Sequence, residues 1–396
     1  METDGGSSLL KSKSTGDQAL IKKINTSIVL ESVLTHAPLS RAQISTLTGL
    51  NKATVSNLVQ DLIDNHLVLE VGIGESSGGR KPVILHFNKN AGYAIGIDLG
   101  VNYIHGILTD LEGNVLIDRQ QKLKLRDRDH IFHELSAFIE GLIKQVPESP
   151  YGLIGIGVGV PGIVDDNGII LLAPNLKWHQ IELRKKLEER FALPVTIDNE
   201  ANAGALGELK YGAGRDIANQ VYVSVGIGIG TGLILNKELY TGASGFSGEL
   251  GHMSIEYNGK LCSCGNQGCW ELYASEQALL EQAAPLGYES LEDLLAATEN
   301  NDEQVISLIK DAGAYLGAGI ANIVNIFNPD LVIIGNRMVR AQKWLQEAVE
   351  ESVAKRALPL HREKLKVQFA ELQEQSAVRG AAYAAINNFF IKIKSE

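Results

Sequence analysis

The feature that most constrains this chain is a cluster of metal-binding residue types past its midpoint. All three cysteines lie within eight positions, and a histidine precedes the first of them by ten residues: His252, Cys262, Cys264 and Cys269. Three thiolates and one imidazole are a common ligand set for a tetrahedral, structural zinc ion. Glycines in the same stretch allow a short loop to wrap around an ion. The spacing therefore predicts a structural Zn²⁺ site.

An oxidised cluster is the alternative. A disulfide between Cys262 and Cys264 would be strained because one residue separates them, and three cysteines leave one unpaired. The chain also starts with a polar segment that does not resemble a signal peptide, so we expect a reducing, cytoplasmic location. The sequence alone leaves open a metal-free or oxidised site.

Length and composition indicate a globular protein of two or three domains. The chain has 396 residues, 44% apolar and 21% charged, and no apolar run long enough to span a membrane. Its net charge of −11 is uneven. Residues 1–90 hold nine basic and eight acidic side chains, a balance of +1, and the remainder holds 27 and 39, a balance of −12. Any contact with DNA is therefore expected in the N-terminal part.

The first ninety residues have the pattern of a DNA-binding domain. Residues 1–16 are polar and predicted to be disordered. Apolar residues then recur at helical spacing, and two short helices follow with Gly49 at the turn between them. Two predicted strands flank a glycine-rich, basic segment. This order predicts a winged helix-turn-helix domain over residues 17–88, and the alternative is an ordinary helical hairpin with a solvated face.

Small polar and basic side chains occur where such a domain contacts DNA. The start of the second short helix could reach phosphates and base edges in the major groove. The wing tip could contact phosphates or the minor groove. The predicted DNA-binding residues are Arg41, Asn51, Lys52, Thr54, Ser56, Asn57, Gly79, Arg80 and Lys81.

The rest of the chain predicts two similar α/β lobes. A strand over Tyr93–Gly100 is followed by two further strands and a helix around 129–146, and the same order restarts at Val221. A cleft between two such lobes is the expected site. Small residues within 312–322 predict a helix packed closely against a sheet.

The motifs of these lobes resemble those of the ROK family of repressors, open reading frames and sugar kinases, over residues 20 to 390. They are Gly248-Glu249-Leu250-Gly251-His252, the Cys-x-Cys-Gly-x-x-Gly-Cys-x-Glu run that starts at Cys262, and Asn199-Glu200-Ala201-Asn202-Ala203-Gly204-Ala205. The resemblance implies a two-lobed actin-like (ribonuclease H-like) ATPase or sugar-kinase fold. One lobe would comprise residues 91–200 with the C-terminal helix 377–395, and the other, with the zinc loop, residues 201–376.

The resemblance also implies a monosaccharide site in the cleft. Carboxylates, amides and imidazole suit sugar hydroxyls, which both donate and accept hydrogen bonds. One ring nitrogen of His252 would bind zinc and the other the sugar. Glu200 occupies the position of the catalytic base in the kinases. The expected sugar-binding residues are Asn199, Glu200, Glu249, His252, Glu271, Gly162 and Asn175.

Departures from the family's kinase motifs predict that the chain is not an enzyme. The kinases carry Asp-x-Gly-Gly-Thr-Lys, whereas this chain has Asp98-Leu99-Gly100-Val101-Asn102-Tyr103. Ile227 replaces a threonine in the second glycine loop, and Gly335-Asn336-Arg337 stands in place of three glycines. The contacts that would hold Mg·ATP are therefore altered.

The fused DNA-binding head is similar to that of the family's xylose-responsive repressors. This implies a repressor of a xylose-utilisation operon that binds a palindromic operator as a homodimer, with a tetramer as the alternative. D-xylose or a related neutral monosaccharide would release it. The rival interpretations are a sugar kinase with a DNA-binding head, a repressor that responds to glucose or another sugar, and an activator.

Overall fold

The computed structural model describes residues 18–73, 82–123 and 127–395. The chain divides into two compact units. One extends to Ala91 and includes the C-terminal residues from Asn388, and the other comprises Gly92–Asn387. The predicted disorder of residues 1–16 and the predicted DNA contacts of Gly79, Arg80 and Lys81 lie outside the described residues.

The N-terminal unit contains helices followed by a small antiparallel sheet. Its described elements are α1 (Gln18–His36), β1 (Leu39–Ser40), α2 (Arg41–Thr48), α3 (Lys52–Asp64), β2 (Val68–Ile73) and β3 (Val83–Phe87). The strand order is β1-β3-β2, so the last strand of the sheet is also the central one.

Local hydrogen bonds fix the ends of the two short helices. Ser40 and Gln43 form a capping box at the start of α2, in which each backbone N–H donates to the other side chain. Gly49 ends α2 with a φ of +72°, in the left-handed region that glycine tolerates best. Asn51 then caps α3, since its Oδ1 accepts the Thr54 N–H at 2.8 Å.

Apolar side chains of α1, α2 and α3 form the core of this unit. They include Val29, Val33, Ile44, Val55, Leu58 and Leu62. Ala42 and Leu47 are apolar and have a spacing that would suit this core, but both are exposed on α2. The apolar spacing of α1 also overestimates its buried face, since Leu20 and Ile24 are each more than half exposed.

The first lobe of the larger unit is built on a five-stranded sheet. Its elements are β4 (Tyr93–Leu99), β5 (Tyr103–Asp110), β6 (Val115–Lys122), α4 (Arg128–Ile143), β7 (Leu153–Val160), β8 (Ile163–Val164), β9 (Ile170–Ala173), β10 (Trp178–Ile181), α5 (Leu183–Phe191) and β11 (Val195–Asn199). The main sheet has the order β11-β7-β4-β5-β6, and β8, β9 and β10 form a separate small sheet.

The second lobe repeats this plan and adds helices. Its elements are α6 (Glu200–Tyr211), β12 (Gln220–Val225), β13 (Ile229–Leu235), β14 (Glu238–Leu239), α7 (Glu271–Ala274), α8 (Glu276–Ala283), α9 (Leu291–Glu299), α10 (Glu303–Phe327), β15 (Leu331–Gly335), α11 (Gln342–Arg356), α12 (Pro359–Arg362) and β16 (Lys366–Phe369). The final helix is α13 (Ser376–Ser395). The sheet order is β14-β13-β12-β15-β16.

The two sheets therefore have the same topology. In each, the first strand is central, the second and third lie antiparallel on one side, and the fourth and fifth lie parallel on the other. Residues that follow the carboxyl ends of β4, β7, β12 and β15 all line one cavity between the lobes. A cleft at the carboxyl ends of parallel strands is where α/β folds bind ligands.

Helix α13 is shared between the two units. Its first turns pack on the first-lobe sheet, where a Cβ at Gly157 would lie 1.8 Å from the Ala381 carbonyl oxygen. Residues from Asn388 onward group instead with the N-terminal unit. The division therefore differs from the expected one, which assigned the whole of 377–395 to the first lobe.

The glycines of α10 allow a close approach between two helices. A Cβ at Gly317 would lie 2.6 Å from the carbonyl oxygen of Val349 on α11. The prediction that Gly313 and Gly317 pack on a sheet is thus wrong, because their neighbours belong to α11. No described helix combines the length and the apolar character that crossing a membrane requires.

Candidate functional site: a cavity beside a thiol cluster

A cavity of about 600 Å³ lies between the two lobes. It brings together all seven of the residues that the sequence predicted for sugar binding: Gly162, Asn175, Asn199, Glu200, Glu249, His252 and Glu271. They come from the end of β7, the small sheet, the start of α6 and the segment between β14 and α7. Residues distant in sequence thus converge on one polar space large enough for a small ligand.

Asn199 connects two walls of this cavity. Its Oδ1 accepts the Ala201 N–H at 2.7 Å and caps α6, and its Nδ2 donates to the Gly162 carbonyl at 2.8 Å. Gly162 has a φ of +110°, and a Cβ there would lie 2.2 Å from the Leu172 carbonyl oxygen. Gly162 therefore shapes the wall through its backbone, and only glycine fits that position.

Glu200 lies beside a second carboxyl group. Asp98, at the end of β4, is buried and accepts a hydrogen bond from the Tyr103 hydroxyl at 2.8 Å. Burial raises the pKa of Asp98 to about 6. Burial and the neighbouring Asp98 charge together raise the pKa of Glu200 to about 8. Two carboxyls in one desolvated site repel each other when both are ionised, so this region disfavours anions.

The second lobe supplies the hydrogen-bond donors for Glu200. The Ser224 hydroxyl lies 2.9 and 3.0 Å from the two carboxyl oxygens, and Asn336 Nδ2 lies 3.4 Å from Oε1. Ser224 and Asn336 are not among the binding residues that the sequence motifs predict. The available signal was their position, because each lies at or just beyond the end of a parallel strand, β12 or β15.

The four predicted metal ligands form a compact cluster next to the cavity. The ligand atoms of His252, Cys262, Cys264 and Cys269 all lie within 4.8 Å of one another. The three thiols are free, and the Cys264 and Cys269 sulfurs are 3.7 Å apart. Burial, with the neighbouring thiols, raises the pKa of Cys269 to about 12. The group could hold a metal ion, which would have to displace protons from the thiols.

His252 connects the cluster to the cavity. Its Nδ1 lies 3.7 Å from Cys262 Sγ and 3.4 Å from Glu271 Oε1, whereas its Nε2 lies 3.9 Å from Glu249 Oε2. Burial raises the pKa of Glu249, and the His252 charge opposes that effect. One ring nitrogen thus faces the thiols and the other faces a cavity carboxyl.

A tryptophan outside the predicted site residues anchors this loop to the second lobe. Trp270 is fully buried, and its Nε1 donates to the Tyr315 carbonyl on α10 at 2.9 Å. A Cβ at Gly319 would lie 2.1 Å from the Trp270 ring. Because Trp270 separates Cys269 from Glu271, its anchoring sets the position of a thiol and a cavity carboxylate together.

The predicted DNA contacts within the described residues belong to α2 and α3. Lys52, Ser56 and Asn57 are exposed, while Val55 and Leu58 on the opposite face are buried. Thr54 is partly exposed, and Asn51 is exposed although its Oδ1 caps the helix. Arg41 forms an ion pair with Glu70 at 2.7 Å, so its guanidinium is already engaged.

Comparisons with known proteins agree with this architecture. The sequence is 44% identical to the xylose repressor of Bacillus spizizenii, over 96% of this chain and 99% of that protein. A crystal structure of a ROK family transcriptional regulator, a homologue of the E. coli MLC protein, is 31% identical, has a TM-score of 0.80, and matches 95% of this chain and 99% of its own.

Sugar kinases share the larger unit. A ROK family glucokinase from Streptomyces griseus, in complex with glucose and AMPPNP, is 29% identical with a TM-score of 0.69. It covers 75% of this chain and 100% of its own, which supports an actin-like kinase fold for the two lobes. The sequence profile of the ROK family itself matches residues 94–388. The chain therefore belongs to the ROK family.

Proposed function

We propose that this chain is a transcriptional repressor that binds operator DNA through its N-terminal unit and is released when D-xylose binds in the cavity between the lobes. The observation that carries the proposal is the near-full-length identity to a xylose repressor, combined with the convergence of the seven candidate sugar residues on one cavity. A homodimer on a palindromic operator would give the specificity that a single small DNA-binding domain lacks.

The N-terminal unit supports a winged helix-turn-helix interpretation. Helices α2 and α3 are joined at Gly49, and the antiparallel pair β2 and β3 follows them. The exposed polar face of α3 would enter the major groove. Of its residues, Lys52 suits a phosphate, and Asn57 suits a base edge.

A neutral sugar fits the charges around the cavity. The carboxyls of Glu200, Glu249 and Glu271 line it, together with the guanidinium of Arg337. That guanidinium is shared with Glu276 at 3.0 Å and Glu292 at 3.3 Å. Among the described residues that line the cavity, the one guanidinium is therefore already paired, so a phosphorylated sugar would meet mainly acidic groups. The hydroxyls of a neutral sugar can donate to those groups.

Zinc is the proposed metal because its preferred ligands are thiolates and imidazole in a closed tetrahedral set. It would hold His252 and the loop that carries Glu271, and thereby orient two cavity side chains. The metal has a structural role in this proposal, since four protein ligands leave no open position for a reacting molecule.

A kinase activity is the rival function, because glucokinases share the fold. The altered phosphate-binding motif argues against it, since Val101 and Asn102 stand where the kinases carry the second glycine and the threonine. Tyr103 replaces the lysine of the kinase motif, and its ring lies where a Cβ at Gly100 would meet it at 2.2 Å. Phosphorylation of xylose or glucose by the purified protein with Mg·ATP would restore the kinase interpretation.

Calorimetric titration with xylose, with and without an operator that the protein selects from random DNA, tests the repressor proposal. We expect xylose to bind more weakly when operator is present, because an inducer must bind the DNA-incompetent state more tightly. Equal affinity in both titrations would contradict the release mechanism. Glucose in place of xylose tests the choice of sugar.

Variants of α3 test whether this helix contacts the operator. We expect Lys52→Ala to weaken binding to all DNA sequences and to lower the salt dependence by about one counterion. Asn57→Ala should lose about 1–3 kcal/mol on the operator alone. Gln60→Ala, an exposed change in the same helix that only removes a hydrogen bond to Asp64, is the matched control. Unchanged operator affinity in both test variants, measured by fluorescence anisotropy, would exclude this face of α3.

A further inference from the structure

We infer that Asn336 is a positioning residue for the sugar cavity: it holds Ser224 and Glu200 in their binding orientation from a strained backbone position on the second lobe. This inference rests on the proposed sugar site and names a residue that controls it.

The backbone of Asn336 is in a region that residues with side chains rarely occupy. Its φ is +65° and its ψ is −163°. A non-glycine residue in this region is strained and persists only where the surroundings hold it there. Asn336 lies at the end of β15, and of the described non-glycine residues with positive φ it is the one that lines the cavity.

Interactions with the next residue, Arg337, hold Asn336 in place. Its own Oδ1 accepts the Arg337 N–H at 2.6 Å, which turns the amide so that Nδ2 faces the cavity. The Arg337 side chain is held by Glu276 and Glu292 on α8 and α9. The segment is therefore fixed by its neighbours, and the amide points at a defined target.

That target is a two-step hydrogen-bond relay. Asn336 Nδ2 donates to Ser224 Oγ at 3.0 Å, which leaves the Ser224 hydroxyl proton free to bind a Glu200 oxygen at 2.9 Å. A second contact runs from Nδ2 to Glu200 Oε1 at 3.4 Å. Glycine at 336 would relieve the backbone strain but would abolish both contacts. The two contacts therefore explain why a strained asparagine, and not a glycine, occupies this position.

A double-mutant cycle in xylose binding separates positioning from general stability. We expect Asn336→Gly to weaken xylose binding about tenfold, the loss expected for a hydrogen bond to a charged or ionisable partner. In a Glu200→Ala background the same change should weaken it less than about twofold, because nothing remains to be positioned. Additive effects would overturn the inference.

Two further measurements keep the result interpretable. Asn336→Ala should melt at a lower temperature than Asn336→Gly, since alanine loses the amide but keeps the strain. Asn328→Gly, at another positive-φ asparagine that is exposed at the end of α10, should leave xylose affinity unchanged. Equal melting temperatures for the Ala and Gly variants would refute the strain.

A ligand-free readout distinguishes this inference from the sugar proposal. An amide donor favours the ionised form of Glu200, so its removal in Asn336→Gly should raise the pKa of Glu200 further. The thermal stability that this bound proton contributes should then be lost at a higher pH than in the wild type. If wild-type protein binds neither xylose nor glucose, the sugar proposal fails, and this pH shift still decides whether Asn336 acts on Glu200. An unchanged pH profile of thermal stability would show that Asn336 does not influence Glu200, and it would overturn the inference.

Discussion

Replacing Cys264 with alanine is expected to remove the bound metal and, with it, the response to sugar. The Cys264 residue is exposed, so the substitution creates no buried cavity, and its main effect is the loss of one ligand from a four-residue set. Structural zinc sites contribute directly to folding energy. We expect a fall in melting temperature of roughly 5 °C, which corresponds to about 3 kcal/mol in the larger unit.

The effect should extend to the cavity because His252 belongs to both sites. Without a metal, neither the ring of His252 nor the loop that leads to Glu271 is held, and xylose affinity should fall with metal content. Gln267→Ala changes an exposed residue of the same loop without removing a ligand and should behave as wild type. The measurements are metal content by mass spectrometry, thermal unfolding and xylose calorimetry. Full induction by xylose in metal-free Cys264→Ala would show that the two sites are independent.

The sequence allowed much of this architecture to be predicted because the relevant signals are local. The strand that begins at Tyr93 and the restart near Val221 predict two lobes, which the common order of the two sheets confirms. The residue types and spacing of the cysteines predict a cluster, which the structure brings together. Gly49 and Asn51 mark a turn and a cap through their own side-chain and backbone chemistry.

The failed or missing predictions depend on contacts between distant segments. Leu47 has the right character for a core, but α2 is too short for the core to cover both of its sides. Gly317 reads as a close-packing residue in either environment, and its actual neighbour, Val349, is 32 positions away. The relay from Asn336 to Glu200 spans 136 positions and a backbone conformation that no local pattern predicts.

Glu200→Gln is expected to make the protein more stable at alkaline pH and to change little at acid pH. The pKa of Glu200 is raised from 4.5 in the unfolded chain to about 8 in the folded protein. The folded state therefore binds this proton more tightly, and the resulting stability is fully present below pH 4.5 and lost as the pH rises through about 8. A glutamine stays neutral, so the variant avoids this loss.

The difference should reach on the order of 3 kcal/mol at alkaline pH, less than the full shift implies because the carboxyl faces a cavity open to water. Both proteins keep the same metal ligands, so any loss of metal at acid pH cancels when their unfolding curves are compared. Glu238→Gln removes an exposed charge from β14 and should show no such trend. A stability difference that stays constant from acid to alkaline pH would mean that Glu200 ionises normally. Glu200 would then be an anion at neutral pH, and its burial beside Asp98 would not hold a proton on the folded protein.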